Sequence, residues 1–384
     1  MKGKNLYLLF LLTCFTLISC NKRNSNEVFQ GAISCENIKI DILKDDLFPV
    51  DFIQNCKVVR LETNESSLIG EMKKIIVTSD RIFIMDSDVT QSLFVFDREG
   101  KYIMKIGTRG NGPGEYYSVN DFFVDENKQQ ISIYDGNVRK VFYYDWYGKY
   151  LKVHHFKEIW MNACYPLDST CFALDFTRTA LGRNKFHLQL STTENQMYYY
   201  YKPLKYNYQY TNNTNIAFYK GIETVFYVPV RCDTIFCIST TGIDKGYAID
   251  FGEQTLPSNF QDRYKGMEQA DVLLNSNYCY GIKNVLETDG LLCFTFKYGM
   301  MSVLCIYEKA TRKIYIRLPY LPVPITSYEN YLIGYGESHV YQEIKHAGQE
   351  VIKEYKNAFG EEVFDMVTNI DANENPIIFF MKRT

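Results

Sequence analysis

The chain alternates short, continuous β-rich apolar runs with turn residues. This pattern predicts strands over residues 72–77, 81–86, 92–97 and 101–106, and again over 120–124, 130–135, 140–145 and 149–155. The two groups are one repeat. Ile82-Phe83-Ile84-Met85-Asp86 matches Ile131-Ser132-Ile133-Tyr134-Asp135, and the run Leu93 to Tyr102 matches Val141 to Tyr150, about 48 residues on. Each group carries Asp-x-x-Gly-Lys between its last two strands. That is hairpin chemistry, with the Asp side chain holding the turn and Gly taking the left-handed position. Four strands in every 40–50 residues or so mark a propeller blade. One four-stranded sheet cannot hide both faces, whereas a ring of them can.

Later repeats are less regular. Further blades fall over about 159–205, 215–252 and 279–318, and 376–381 reads as a final strand. Helical periodicity appears over about 341–370. Val351, Ile352, Tyr355 and Phe359 share one face there, and Val363, Phe364, Met366, Val367 and Ile370 share another. A further amphipathic stretch, 261–275, sets Tyr264, Met267, Asp271 and Leu274 nearly in line. These helices are expected as insertions on the ring. The run 57–61 belongs to no hairpin and is expected to complete the last blade beside 376–381, where an open edge would otherwise remain. The fold class expected is all-β: a six-bladed β-propeller of four-stranded antiparallel blades, over 57–384, with short helical insertions near the C-terminus.

The start of the chain is of another kind. Lys2 and Lys4 precede a 13-residue apolar run, Leu6 to Ile18, too short to span a membrane and suited to a signal peptide over 1–19. It ends in Leu17-Ile18-Ser19-Cys20, which resembles a bacterial lipobox and makes Cys20 the expected lipidation site. Residues 20–56 read as a lipid-anchored tether and N-terminal extension. The expected partner is therefore a membrane, reached through the N-terminal lipid.

Composition narrows the function classes. With 42 Lys+Arg against 45 Asp+Glu, the net charge of -3 gives no basic footprint for nucleic acid. A hydrophobic content of 46% excludes disorder, and 32 Tyr with 26 Phe favour strands. There are 11 Cys and no C-x-x-C, so zinc ribbons and thioredoxin-type sites lack support. Cys164 and Cys171 lie symmetrically about Leu167-Asp168, and Cys293 and Cys305 about Gly299. Each pair is either a hairpin staple or two buried thiols, the second being favoured.

Leu61-Glu62-Thr63, the run Arg81–Asp86, Phe94 to Lys101 and Gly110-Asn111-Gly112-Pro113-Gly114-Glu115-Tyr116 together resemble the six-bladed β-propeller lipoproteins of Bacteroidetes, which are similar to NHL-repeat propellers. Asp250-Phe251-Gly252, Leu256-Pro257 and Asn375-Pro376-Ile377-Ile378 extend the resemblance over most of the chain. It implies six blades and export rather than an activity. Surface-exposed lipoproteins of that group carry acids directly after the lipidated Cys. Here the first acid is Glu27, which favours an envelope protein facing the periplasm over one on the cell surface.

Candidate chemistry is sparse. The glycine-rich loop from Gly107 to Tyr116 lacks the phosphate-cradle spacings, and reads as a tight inter-blade turn that presents Arg109, Asn111, Glu115 and Tyr116 as candidate binding residues. Asp371-Ala372-Asn373-Glu374-Asn375 begins like a calcium loop, but Pro376 stands where Gly is needed, so it reads as a turn. His154 and His155 are strand neighbours pointing to opposite faces. Gly336-Glu337-Ser338-His339 approaches a nucleophile elbow, with Val340 in place of its second Gly. Tyrosines at 198–201, 206, 208 and 210 suit sugar stacking or a half-buried strand. No catalytic residue, metal site or cofactor is assigned. The favoured function is a binding or scaffold module for a peptide, glycan fragment or protein. A propeller lyase or hydrolase acting at the channel mouth is the alternative.

Overall fold

The computed structural model describes residues 33–42, 46–47, 55–157, 159–177, 186–203, 216–316 and 322–382. The signal peptide, Cys20 and Tyr206, Tyr208 and Tyr210 lie outside them. Among the described residues no helix is long and apolar enough to cross a membrane.

Six sheets stand around an axis. Blade 1 comprises Lys74–Val77, Arg81–Asp86, Ser92–Asp97 and Tyr102–Lys105. Blade 2 comprises Asp121–Asp125, Gln130–Asp135, Lys140–Asp145 and Tyr150–His155. Blade 3 is Ala163–Pro166, Cys171–Asp175, Phe186–Thr192 and Met197–Pro203, and blade 4 is Phe218–Lys220, Val225–Tyr227, Thr234–Ser239 and Gly242–Asp250. Blade 5 is Cys279–Glu287, Leu291–Tyr298, Met301–Glu308 and Lys313–Ile316. Blade 6 joins Pro324–Tyr328, Tyr331–Gly336 and Ile377–Lys382 to Asn55–Arg60, which pairs antiparallel with Ile377–Lys382. The closing strand is therefore the one that the sequence leaves without a hairpin. First strands of neighbouring blades touch from blade 2 through blade 6 and on to blade 1, and a Lys74–Asp121 ion pair joins blades 1 and 2.

The apolar runs follow from this arrangement. In Arg81–Asp86 every residue is buried. Ile82 and Ile84 pack with Ile378 and Phe380 of blade 6, while Phe83 and Met85 pack with Phe122 and Ile131 of blade 2. A strand covered on both faces must be apolar at every position, and each such side chain contributes about 1.5–3 kcal/mol. The outer Tyr150–His155 is exposed or half-buried throughout. His154 stacks on Phe172 at 4.8 Å, and its neighbour His155 is exposed.

Turn chemistry repeats with the sheets. Asp97 Oδ1 accepts from the amides of Glu99 (3.0 Å) and Lys101 (2.8 Å), and Asp145 Oδ1 from those of Tyr147 and Lys149 (both 2.9 Å). A second carboxylate closes each second strand. Asp86 is fully buried and accepts from the amides of Gly70 (2.8 Å), Val89 (2.9 Å) and Thr90 (3.2 Å), while Asp135 accepts from those of Tyr117 and Ser118 (2.6 and 3.0 Å). Burial alone would raise the Asp86 carboxyl, but the Val89 and Gly70 amides outweigh it and hold it below its ordinary value. Stability from this group is present above about pH 3.9 and is lost as pH falls through the lower folded value. Asp86→Asn is expected to cost about 1–3 kcal/mol at neutral pH, since an amide NH2 replaces one of the two accepting oxygens and faces backbone N–H donors. The gap in melting temperature from the wild type should narrow below about pH 4; a constant gap would refute the assignment.

None of the nine described cysteines is joined in a disulfide. Cys293 lies opposite Ile306 and Cys305 opposite Phe294, so the two point to opposite faces. Cys164 lies opposite Leu174 and Cys171 opposite Thr192, and they belong to different core clusters.

The helices differ in detail from the periodicity. The stretch 261–275 is broken by Gly266 at φ +55° into Phe260–Arg263 and Glu268–Asn275. The break turns the second helix, so Gln269 and Leu273 are buried while Met267 and Leu274 are exposed. Ser338–Ile344, Gln349–Phe359 and Glu361–Thr368 are inserted between the second and third strands of blade 6. Ser338, the elbow-like serine, is buried and donates to the Asn375 carbonyl at 2.7 Å. Asn375 in turn accepts from the Ile69 amide and donates to the Glu62 and Ser67 carbonyls, each at 2.9 Å, so the turn over 371–375 ties blade 6 to the start of blade 1.

The N-terminal extension also joins the ring. Cys35–Lys39 adds a parallel fifth strand to the outer edge of blade 4, and Asp46–Leu47 does the same for blade 5. Glu36 accepts from the Tyr307 hydroxyl at 2.5 Å, linking this strap to blade 5.

Candidate functional site

The first strands of all six blades run the same way and enclose an axial cavity of about 310 Å³. Aromatic side chains form one wall. Phe123 of blade 2 meets Tyr165 of blade 3 edge-on at 5.0 Å, and Tyr165 lies 6.1 Å from Phe218 of blade 4. Burial pushes the Tyr165 phenol well above its ordinary value, and that of the adjacent Tyr219 likewise. Both stay neutral and act as apolar wall with one hydroxyl each.

Polar groups sit at two levels. At the level where the first strands begin, Lys74 Nζ donates to Asp121 Oδ1 (2.6 Å) and to the Phe122 carbonyl (2.9 Å) and lies 4.9 Å over the Phe123 ring. Asp121 is buried behind it. Burial lifts its carboxyl above the usual range, and the Lys74 charge opposes this only in part. Asn284 also lines the cavity. It holds φ +51° on a first strand whose register slips twice, and its side-chain amide donates to Thr295 Oγ1 at 3.3 Å.

At the level where the first strands end, Glu126, Lys220, Glu287, Asp289, Tyr328 and Glu329 form the rim. Glu287 pairs with Lys309 and accepts from the Ile222 amide at 3.0 Å, and Glu126 accepts from the Ser79 amide at 2.8 Å. Asp289 and Glu329 are exposed and have no ion-pair partner among the described residues. The Tyr328 phenol is raised by burial, then by the charges of Glu126 and Glu329.

The residues singled out in the glycine-rich loop lie elsewhere, and none lines this cavity. Thr108–Arg109 pairs in parallel with Glu115–Tyr116. Glu115 is turned inward to accept the Gly112 amide at 2.7 Å, and Tyr116 is buried between blades 1 and 2. Arg109 and Asn111 are exposed, with the Arg109 guanidinium 5.4 Å over the Tyr117 ring. The loop's glycines serve this packing: a Cβ at Gly110 would lie 2.0 Å from Glu115 Oε2. Tyr199 of the tyrosine run is buried between blades 3 and 4. Sequence reasoning missed Lys74, Asn284 and the rim acids. Each sits in a different repeat, without a local motif. Among the described residues no group of three or more His, Cys, Asp or Glu is placed to hold a metal ion.

Residues 38–382 match a family described as a domain of unknown function, DUF4934, and the chain belongs to that family. No curated protein matches it. It is similar in structure to a "putative exported protein" of Bacteroides fragilis NCTC 9343, with a TM-score of 0.77 and 21% identity, covering 91% of this chain and all of that one. A DUF4221 member from Bacteroides vulgatus is more distant, with a TM-score of 0.52 and 9% identity, covering 86% of this chain and 98% of the other. At these identities the likeness is one of fold.

Proposed function

We propose that this protein is an exported, lipid-anchored binding module, tethered through Cys20 in the periplasm-facing envelope, that holds a peptide or glycan fragment in its axial channel. The observation that carries the reading is the cavity of about 310 Å³, which combines an aromatic wall with fixed polar groups at two levels. Pockets of this size with few convergent polar groups are the usual form of small-ligand sites. Support for export comes from the signal-like start of the sequence and from the similar Bacteroides fragilis structure, described as a "putative exported protein".

The test uses the purified domain, short peptides and oligosaccharides, with ligand-induced rise in melting temperature as the readout. Thr326→Trp fills the channel from blade 6. At least one ligand is expected to raise the melting temperature of the wild type by several degrees and to leave the filled variant unmoved. Equal shifts in both proteins, or none with either ligand class, would overturn the reading.

A further inference from the structure

We propose that the channel's occupant is a short peptide with free termini, its carboxylate on Lys74 and its amino group on the acidic rim. This rests on the axial cavity being the binding site.

The inner anchor is prepared for an anion. An ammonium carries three donors. Asp121 and the Phe122 carbonyl take two, and the Phe122 and Phe123 rings pack against the head, 5.3 and 4.9 Å from their centroids. The third donor has no acceptor among the described residues. A ligand carboxylate would complete the set with the rotamer already fixed. Asp121 stands behind Lys74 and is fully buried, so it positions the ammonium and does not compete at the cavity surface.

The outer level has the opposite sign. Asp289 of the blade 5 hairpin and Glu329 of the blade 6 hairpin are unpaired, and Glu126 of blade 2 has one oxygen engaged. Lys220 is the opposing cation on the rim, since Lys309 is matched to Glu287. The rim therefore keeps a negative excess that suits an ammonium.

The spacing agrees. On blade 2, Asp121, which holds Lys74, and the rim residue Glu126 are five residues apart, roughly 16 Å at a rise of about 3.3 Å. An extended tripeptide spans at most about 10–11 Å, which leaves about 5–6 Å, one hydrogen bond of roughly 3 Å at each end. The cavity has room for about ten waters at roughly 30 Å³ each, the bulk of a small peptide. Between the levels, Phe123, Tyr165 and Phe218 offer an apolar side chain a wall to pack on. A neutral glycan fragment would use the wall but neither charged level, which is why the peptide is favoured.

The experiment is calorimetric titration with alanyl-phenylalanyl-alanine, its N-acetyl form, its C-terminal amide, and maltotriose as the neutral competitor. The free tripeptide is expected to bind, and blocking either end to weaken binding tenfold or more. The double variant Asp289→Asn, Glu329→Gln should weaken the free peptide to the level of the acetylated one and leave the acetylated one unchanged. Removing Lys74 alone would strand the Asp121 charge, so the inner anchor is tested with Lys74→Met combined with Asp121→Asn, which should abolish the difference between free and amidated peptide. Blocked peptides that bind as tightly as the free one would overturn the proposal, as would binding of maltotriose alone. In both cases the channel still stands as the site if Thr326→Trp removes the binding. Binding that survives Thr326→Trp, or no binding by any probe, would overturn both readings.

Discussion

A chain that begins at Glu62, and so lacks the closing strand, is expected to give no folded monomer. Asn55–Arg60 is paired along its whole length with Ile377–Lys382. Val59 and Leu61 are buried with Ile75, Ile82 and Phe380 between blades 6 and 1. Their burial alone contributes about 3–6 kcal/mol at roughly 1.5–3 kcal/mol for each side chain. That is comparable with the whole net stability of a typical domain, about 5–15 kcal/mol. The loss also bares Ile377–Met381, in which every residue is now fully buried, as an apolar edge ready to pair with another chain. Size-exclusion chromatography and near-ultraviolet circular dichroism should show aggregate or molten material. A synthetic peptide covering 55–61 should recover part of the monomer. A truncated chain that stays monomeric and melts within a few degrees of the full chain would show that something else fastens the ring.

The second large effect is expected at Gly100. This hairpin residue has φ +88°, and a Cβ there would lie 2.1 Å from the Arg60 carbonyl oxygen, which is backbone and cannot step aside. The hairpin is seated there because the Glu62 amide donates to the Gly100 carbonyl at 2.8 Å, so blade 1 grips the strand that closes blade 6. Gly100→Ala therefore pays roughly 1–2 kcal/mol for the left-handed backbone and about 1–3 kcal/mol for the clash. A loss of about 2–5 kcal/mol in urea unfolding is expected. Gly266→Ala is the control: its φ is +55°, yet nothing lies within 4 Å of the added carbon. It should cost only about 1–2 kcal/mol. Equal losses in the two variants would mean that close packing at the seam contributes nothing.

Much of the ring was legible because of where its strands lie. Arg81–Asp86 and Ser92–Asp97 are covered on both faces, so their sequences are nearly unbroken apolar runs. Asp97 and Gly100 announce their hairpin because one turn geometry needs both residues. The closing strand could be assigned because an apolar run with no hairpin partner needs one elsewhere. Three features left no such trace. The strap Cys35–Lys39 is held at an outer edge by backbone pairing and buries fully only Ile38, so its composition carries no strand signal. The break at Gly266 depends on one backbone conformation rather than on a pattern. The channel was hidden most of all. Lys74, Glu126, Asp289 and Glu329 belong to four different blades, and only closure of the circle brings them to one cavity. The conspicuous glycine-rich loop is legible for the opposite reason, because its ends pair with each other and Glu115 accepts from Gly112 within the same short stretch.

The pairing that shuts blade 6 joins residues 317 to 327 positions apart, from Arg60–Ile377 to Asn55–Lys382. Contacts of such long range come at the end of folding, because loop-closure entropy must be overcome before they form. The N-terminal partner is made first and used last. During synthesis it must wait, unpaired, until nearly the whole polypeptide has emerged. Its composition suits that wait: Lys57 and Arg60 stay exposed even in the finished ring and would discourage the waiting strand from pairing with a neighbouring nascent chain.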